Sequence, residues 1–439
     1  MSARTVAVVG GGLAGITAAL RLADAGCPVT LHEAKPKLGG LTHSFRRALG
    51  EQSLCVDNGQ HVFLRCCTSY LALLDRLGVR DQVTLQDRLD VTVLSEAYDG
   101  VGRLRRSGLP APLHLGAALA RYRWLSPLER ARVVPAALAL GGVDRTAAET
   151  DARSFGAWLS AHGQSPRAVE AVWDLIGVAT LNAPAERASL ALAATVFQLG
   201  LLSEAGAADI GWSRVPLQQL HGDAAAKALA DAGVDVRLGS KVASLDELQA
   251  DDVVVATPAP EAEALVSGTL PDGLEPGWSE RLGSAPIINL HLVYDRPVLE
   301  EPFVAAVDSP LQWVFDRTAH SGLSDGQYLA VSLSAAEHLV DLPVATLRER
   351  FVPRVEALLP RARGAELRDF FVTRERHATF RPVPGSGRFR PETRTKSAHV
   401  YLAGAWTATG WPATMEGAVR SGDAAADAVL EQSMEVGAA

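Results

Sequence analysis

An α/β protein built on a Rossmann-type βαβ unit is the fold class this sequence predicts, and three observations near its start predict it. A β-branched run, Val6-Ala7-Val8-Val9, has the composition of a strand buried on both faces. A glycine cluster, Gly10-Gly11-Gly12-Leu13-Ala14-Gly15, follows at once. After a helical stretch over about 14–25, closed by Gly26, a second strand pattern over 28–32 ends on the acidic Glu33.

Each element has a physical reason. Gly10 permits the tight turn, Gly12 lets the backbone approach a pyrophosphate, and Gly15 lets the helix pack closely on the strand. The helix that opens through Leu13 and Ala14 aims free amides and its positive dipole end at phosphates. Glu33, followed by Ala34, stands where a carboxylate accepts hydrogen bonds from a ribose 2′-hydroxyl, which implies an adenosine without a 2′-phosphate. This is the dinucleotide fingerprint of a Rossmann-type unit, and by itself it serves FAD and NAD alike.

Composition bounds the rest. With 439 residues, 48% hydrophobic and 21% charged, the chain predicts a packed protein of two or three folding units. A net charge of −8 argues against nucleic acid as a partner. Cys27, Cys55, Cys66 and Cys67 have neither zinc-site nor disulfide-scaffold spacing, so a reducing compartment and no metal site are expected. Residues 1–12 have no charged n-region, apolar h-region or cleavage site, and the apolar stretches near 133–140 and 190–202 are shorter than the ~18 residues of a membrane span. A cytoplasmic protein is the expectation.

Gly39-Gly40-Leu41-Thr42 resembles the second phosphate-side loop of the flavoprotein superfamily that contains amine oxidases and carotenoid desaturases, which implies FAD. That loop usually carries an arginine where this chain has Leu41, with Lys35 and Lys37 just upstream. The stretch 403–422, Ala-Gly-Ala-Trp-Thr-Ala-Thr-Gly-Trp-Pro-Ala-Thr-Met-Glu-Gly-Ala-Val-Arg-Ser-Gly, resembles the hydroxysqualene dehydroxylases. So do Asp57-Asn58-Gly59-Gln60-His61-Val62-Phe63-Leu64 and the pair Ala179–Pro184 and Glu186–Ser189, so that the resemblance brackets nearly the whole chain.

The resemblance implies a Rossmann-type FAD-binding domain built from the discontinuous segments 1–75, 222–265 and 392–439. It also implies a mixed α+β substrate domain, made of a helical insertion over 76–221 and a sheet-containing part over 266–391. The sequence offers strand patterns at 234–238, 252–258 and 400–404 for the first, and at 287–293 and 328–333 for the second. By resemblance, Val242 contacts the adenine through its backbone. Asn58 and Gly59 lie beside the flavin, as do Gly404, Ala413, Thr414 and Met415, while Asn182, Arg187 and Trp411 line the substrate cavity. Superfamily members commonly carry an acid after the glycine matching Gly404, where this chain has Ala405.

Two residue-level readings stand beside the family name. Pro412 at a helix start would leave the amides of Ala413, Thr414 and Met415 free to stabilise the negative charge of a reduced flavin. His61, re-entering an apolar strand after the Asp57-Asn58-Gly59 turn, is a candidate proton donor to a leaving hydroxyl; a satisfied structural histidine is the competing reading.

The activity the resemblance implies is FAD-dependent reductive dehydroxylation of hydroxysqualene, in squalene and hopanoid biosynthesis. The alternatives are a carotenoid or phytoene desaturase and a non-enzymatic isoprenoid carrier on the same fold. An amine oxidase is disfavoured because residues 266–390 contain no lysine. With no second glycine fingerprint for a nicotinamide, an external electron donor is expected. Finally, Arg103, Arg105, Arg106, Arg121, Arg123, Arg130 and Arg132 face only one acid, Glu129, and Leu115, Leu119, Tyr122, Trp124 and Leu125 recur at roughly helical spacing. That combination predicts a helix over 103–132 lying peripherally on the inner face of the plasma membrane, against the plainer reading of a solvated face paired with acids elsewhere.

Overall fold

The β-branched run at the N-terminus forms the strand Val6–Val9, buried at every position, at the centre of a five-stranded parallel sheet. Val29–Glu33 and then Asp235–Leu238 pair on one side of it, and Asp252–Val255 and then Val400–Leu402 on the other. The computed structural model describes residues 4–270 and 273–438. Helix Leu13–Asp24 follows the glycine turn, and helix Met415–Ala438 crosses it so closely that a Cβ on Gly422 would stand 2.3 Å from the Ala14 carbonyl oxygen.

A second sheet of seven strands runs in the order Leu367–Phe380, Ser284–Tyr294, Gln327–Leu333, Trp313–Asp316, Phe303–Val307, Asp90–Ser95, Val101–Arg105. Helix Val344–Leu358 packs Leu347, Phe351, Val355 and Leu358 on the core that this sheet builds with Ile288, Leu290 and Leu292. The segment 76–221 carries helices, as expected, but also strands. Asp90–Ser95 alternates buried and half-buried positions, a period-2 pattern that the surrounding Ala, Leu and Arg content conceals. Ile210–Ser213 joins Val62–Leu64 and Val83–Leu85 in a small sheet between the two large ones. The helical layer packs around the rings of Phe155, Trp158, Trp173 and Phe197.

The expected single helix over 103–132 is overturned. The segment divides into the end of strand Val101–Arg105, a loop with Gly108, Pro110 and Pro112, the helix Gly116–Arg121, and the start of a separate helix, Pro127–Gly141. A capping box between Ser126 and Glu129, with Pro127 in the first turn, begins that new helix. Tyr122, Trp124 and Leu125, read as interfacial, are buried in the core. Four of the seven arginines are engaged: Arg103 and Arg105 pair with Asp90, Arg106 pairs with Asp209, and Arg130 donates to the carbonyls of Leu125 and Ala120. Among the described residues no helix is long and apolar enough to cross a membrane.

Candidate active site

The cradle at the end of Val6–Val9 is shaped by missing side chains, each for its own reason. Gly10 has φ +114°, and a Cβ there would meet the Ala256 carbonyl at 2.5 Å; a Cβ on Gly15 would stand 1.9 Å from the Gly10 oxygen. Gly12 differs. Its nearest protein atom, Gly40 Cα, is 3.8 Å from where a Cβ would sit, so the space before it is open. Gly40 in turn has φ +56° and faces Gly12 backbone to backbone, which brings the loop carrying Gly39, Gly40 and the exposed Leu41 over the turn. Open space in front of Gly12, where two glycine loops meet backbone to backbone at the start of a helix, fits a dinucleotide pyrophosphate. Glu33 ends its strand with one carboxylate oxygen accepting from the Gly11 amide at 2.7 Å and the other from the Lys35 amide at 2.7 Å. Lys37 donates to the Ser44 carbonyl at 2.8 Å. Beside Glu33 runs the loop to Val242, held by the Ser240 amide on the Glu33 carbonyl at 2.9 Å.

Asn58 is the junction of the site. Its side chain accepts from the His43 amide and donates to the Leu41 carbonyl at 2.7 Å, so it braces the glycine loop. Its own carbonyl accepts from Asn289 and Thr373 of the seven-stranded sheet, at 3.3 and 3.1 Å. Asp57, one residue earlier, is buried, accepts from Ser44 at 2.6 Å and from the Leu217 amide at 3.0 Å, and forms a buried ion pair with Arg317 at 2.6 Å. The His61 ring packs on Gly59, with Nε2 3.3 Å from where a Cβ would be. Burial pushes its imidazole down to about 4, so it is neutral at neutral pH. Next to it Gln60, His61 and Arg317 share a pocket with Trp212, Phe303 and Phe315. These rings form an aromatic wall, Trp212 meeting Phe303 edge-on at 5.4 Å.

The C-terminal loop differs from expectation in one detail. The helix starts at Met415, three residues beyond Pro412, and Thr414 is its cap, its hydroxyl accepting from the Gly417 amide at 3.1 Å. One of the first-turn donors is therefore occupied. Glu416 is buried and accepts from the amides of Ser69 and Tyr70, tying this helix to the start of helix Thr68–Arg76. Gly404 has φ +149°, the Trp406 indole fills the place where a Cβ would stand, and the Gly404 amide donates to the Ser421 hydroxyl at 2.7 Å. Trp411 is half-buried under the Arg420 guanidinium, 4.9 Å from the ring.

Sequence reasoning missed Arg390. This buried guanidinium donates to the carbonyls of Thr407 and Trp411, the latter at 2.8 Å, with those of Ala405 and Trp406 at 3.4 Å, and so holds the 404–411 loop from beneath. No local pattern marks it, because its partners are main-chain atoms. Two residues expected to line the substrate cavity have other partners in the structure. Asn182 caps a helix at φ 59°, and its amide is fully engaged with Ala285, Thr379 and Ala335. Arg187 forms an exposed ion pair with Glu337. The first is a junction between layers, the second a surface contact.

Comparison with known proteins agrees with this geometry. The chain is 28% identical to the hydroxysqualene dehydroxylase of Rhodopseudomonas palustris over 97% of its length and 98% of the relative's, and 28% identical to that of Sinorhizobium fredii over 98% and 99%. A zeta-carotene desaturase of Synechocystis is 24% identical over 97% of each chain. Among solved structures, cyclohexylamine oxidase from Brevibacterium oxydans superposes with a TM-score of 0.71 at 18% identity, covering 99% of this chain and 100% of that one, which shows the fold. The family described as flavin containing amine oxidoreductase matches residues 13–430. The chain is thus an FAD-dependent oxidoreductase, and it belongs to the flavin-containing amine oxidoreductase family.

Proposed function

We propose that this oxidoreductase removes the hydroxyl of hydroxysqualene, or a closely similar allylic isoprenoid alcohol, and replaces it with hydride to give squalene. The observation that carries the reading is the full-length similarity to the hydroxysqualene dehydroxylases. A small pocket of about 10 Å³ next to Gly59, walled by Trp212, Phe303 and Phe315 and with Gln60, His61, Asp316 and Arg317 as its polar groups, has room for the departing hydroxyl and not for the chain that carries it. Breaking the C–O bond of an allylic alcohol, with a proton taken up by the departing hydroxyl, releases water and leaves a delocalised carbocation; the π-faces of Trp212, Phe303 and Phe315 suit such a cation, beside the Asp316 carboxylate in the same pocket. When bound, FAD in its reduced form supplies the hydride that closes the new C–H bond. Gly10, Gly12, Gly15, Glu33 and the 39–41 loop would hold its nucleotide end, and the 404–415 segment its flavin end. His61 and Gln60 stand at the polar end of the pocket, where the departing hydroxyl needs a hydrogen-bond donor. The division into FAD-binding segments 1–75, 222–265 and 392–439 and a substrate part over 76–221 and 266–391 belongs to the same proposal. So does an external electron donor. A substrate of this length resides in lipid, so the reading includes catalysis at a bilayer surface on the cytoplasmic side.

The test is anaerobic incubation of the dithionite-reduced protein with hydroxysqualene in D2O. Squalene carrying one deuterium at the former carbinol carbon is expected. Unchanged hydroxysqualene, with oxidised protein converting a carotene to a more desaturated product, would replace this reading with the desaturase one.

A further inference from the structure

Helix Pro127–Gly141 is apolar both toward the core and away from it. Val133, Ala136 and Leu140 turn inward. Leu128, Ala131, Val134, Pro135, Leu138 and Ala139 turn outward, and Leu128, Val134 and Leu138 are 60%, 47% and 57% exposed. At helical spacing these positions fall on one continuous stripe. Single exposed leucines are ordinary on a protein surface; a stripe along a whole helix marks a contact.

The charges around it say with what. Glu129 is the sole acid between residues 101 and 143, and its carboxylate is engaged by the Ser126 amide at 2.8 Å and the Ser165 hydroxyl at 2.7 Å. Arg121, at the end of helix Gly116–Arg121, and Arg123 just after it stand exposed, and Arg130 ties that helix end to the first turn of helix Pro127–Gly141 by donating to the Ala120 carbonyl at 2.7 Å. Arg132 is exposed at the edge of the stripe. None of these three has a carboxylate partner among the described residues. An apolar stripe edged by unpaired guanidinium groups complements an anionic lipid surface, with aliphatic side chains at the acyl boundary and arginines at the level of the phosphates. Pro135 has no amide to offer the carbonyl of Ala131, a vacancy that water fills at headgroup depth but not in hydrocarbon. The helix is therefore suited to lie in the interface.

We propose that the outward face of helix 127–141, through Leu128, Val134 and Leu138 with Arg121, Arg123 and Arg132 around it, seats the protein on an anionic bilayer. This keeps three of the arginines the sequence suggested but moves the apolar contact onto the outward face of helix 127–141, and it stands whichever isoprenoid the enzyme reduces. The test uses the FAD-loaded full chain without substrate, so it fails or succeeds independently of the dehydroxylation assay. The protein is sedimented with vesicles of phosphatidylcholine alone and with about one-third phosphatidylglycerol. Binding to the anionic vesicles, weakened by salt, is expected. Leu128→Glu with Leu138→Glu should lower the partition coefficient at least about tenfold, and Arg121→Gln, Arg123→Gln and Arg132→Gln together should lower it and flatten the salt dependence. All of these positions are exposed, so unchanged circular dichroism and Tm should accompany the loss. Absence of wild-type binding, or binding that both variants retain, overturns the proposal. Equal wild-type binding to neutral vesicles overturns the anionic choice. A wild-type dimer in light scattering that the leucine pair dissociates, without vesicle binding, assigns the face to a second copy of the chain instead.

Discussion

An alanine at Gly12 would meet no protein atom closer than 3.8 Å, and the residue's φ of −79° is ordinary for any side chain. The fold therefore leaves room for a side chain there, and the proposed pyrophosphate contact is what would exclude one. We expect Gly12→Ala to keep the Tm of the FAD-free protein while weakening FAD binding at least about tenfold, read by titration of flavin fluorescence. Gly15→Ala should fail differently, with loss of folded protein, because its Cβ would overlap the Gly10 carbonyl. Arg390 is the residue-scale counterpart beneath the 404–411 loop. Burial pushes its guanidinium down to about 10, still charged at neutral pH, and its partners are carbonyls of the loop it holds. Arg390→Met leaves those carbonyls without their donor, so FAD affinity should fall at least about tenfold, with partial rescue by Arg390→Lys. The glycine positions were legible in sequence because a turn and a close approach demand glycine locally. Arg390 was not, since its role exists only once residues 404–411 fold over it.

Elements repeat this division between local and assembled information. The strand Val6–Val9, its glycine turn and helix Leu13–Asp24 lie within one stretch of chain, so composition and spacing announce them. Strand Asp90–Ser95 joins a sheet whose other members, apart from its hairpin partner, lie beyond residue 280, and its surroundings read as helix. Likewise Asn182 and Arg187 matched a pattern in sequence, while their partners, Ala285, Ala335, Thr379 and Glu337, belong to distant segments. The crossing of helices Leu13–Asp24 and Met415–Ala438 sets two effects against each other at Gly422. Helix propensity favours Gly422→Ala by about 1 kcal/mol, but a Cβ 2.3 Å from the Ala14 oxygen forces the helices apart. We expect the steric effect to win, with a net loss of about 2 kcal/mol and a Tm lower by a few degrees in differential scanning calorimetry.

Across the whole molecule, burial holds four histidines neutral: His61 and His320 down to about 4, His221 and His291 down to about 3. Unfolded, each would titrate near 6.5, so between about pH 6.5 and 3 the unfolded chain binds more protons than the folded one. Stability is full above that window and falls as the pH drops into it. Tm measured from pH 7 to 4 should therefore decline steadily, and His291→Gln, which retains a group able to meet Tyr328 and Thr373, should lessen the slope. The order of the parallel sheet has a further consequence, one of timing. Strand Val400–Leu402 and helix Met415–Ala438 complete the layer begun by Val6–Val9, yet they leave the ribosome after the other four strands of that sheet. The glycine turn at Gly12 exists early as a sequence, but the helix that packs on its following helix at Ala14 is complete only after residues 415–438 have been translated. Cofactor loading should accordingly be post-translational, and chains arrested on the ribosome before residue 400 should emerge without flavin and in need of chaperone cover for the exposed sheet edge.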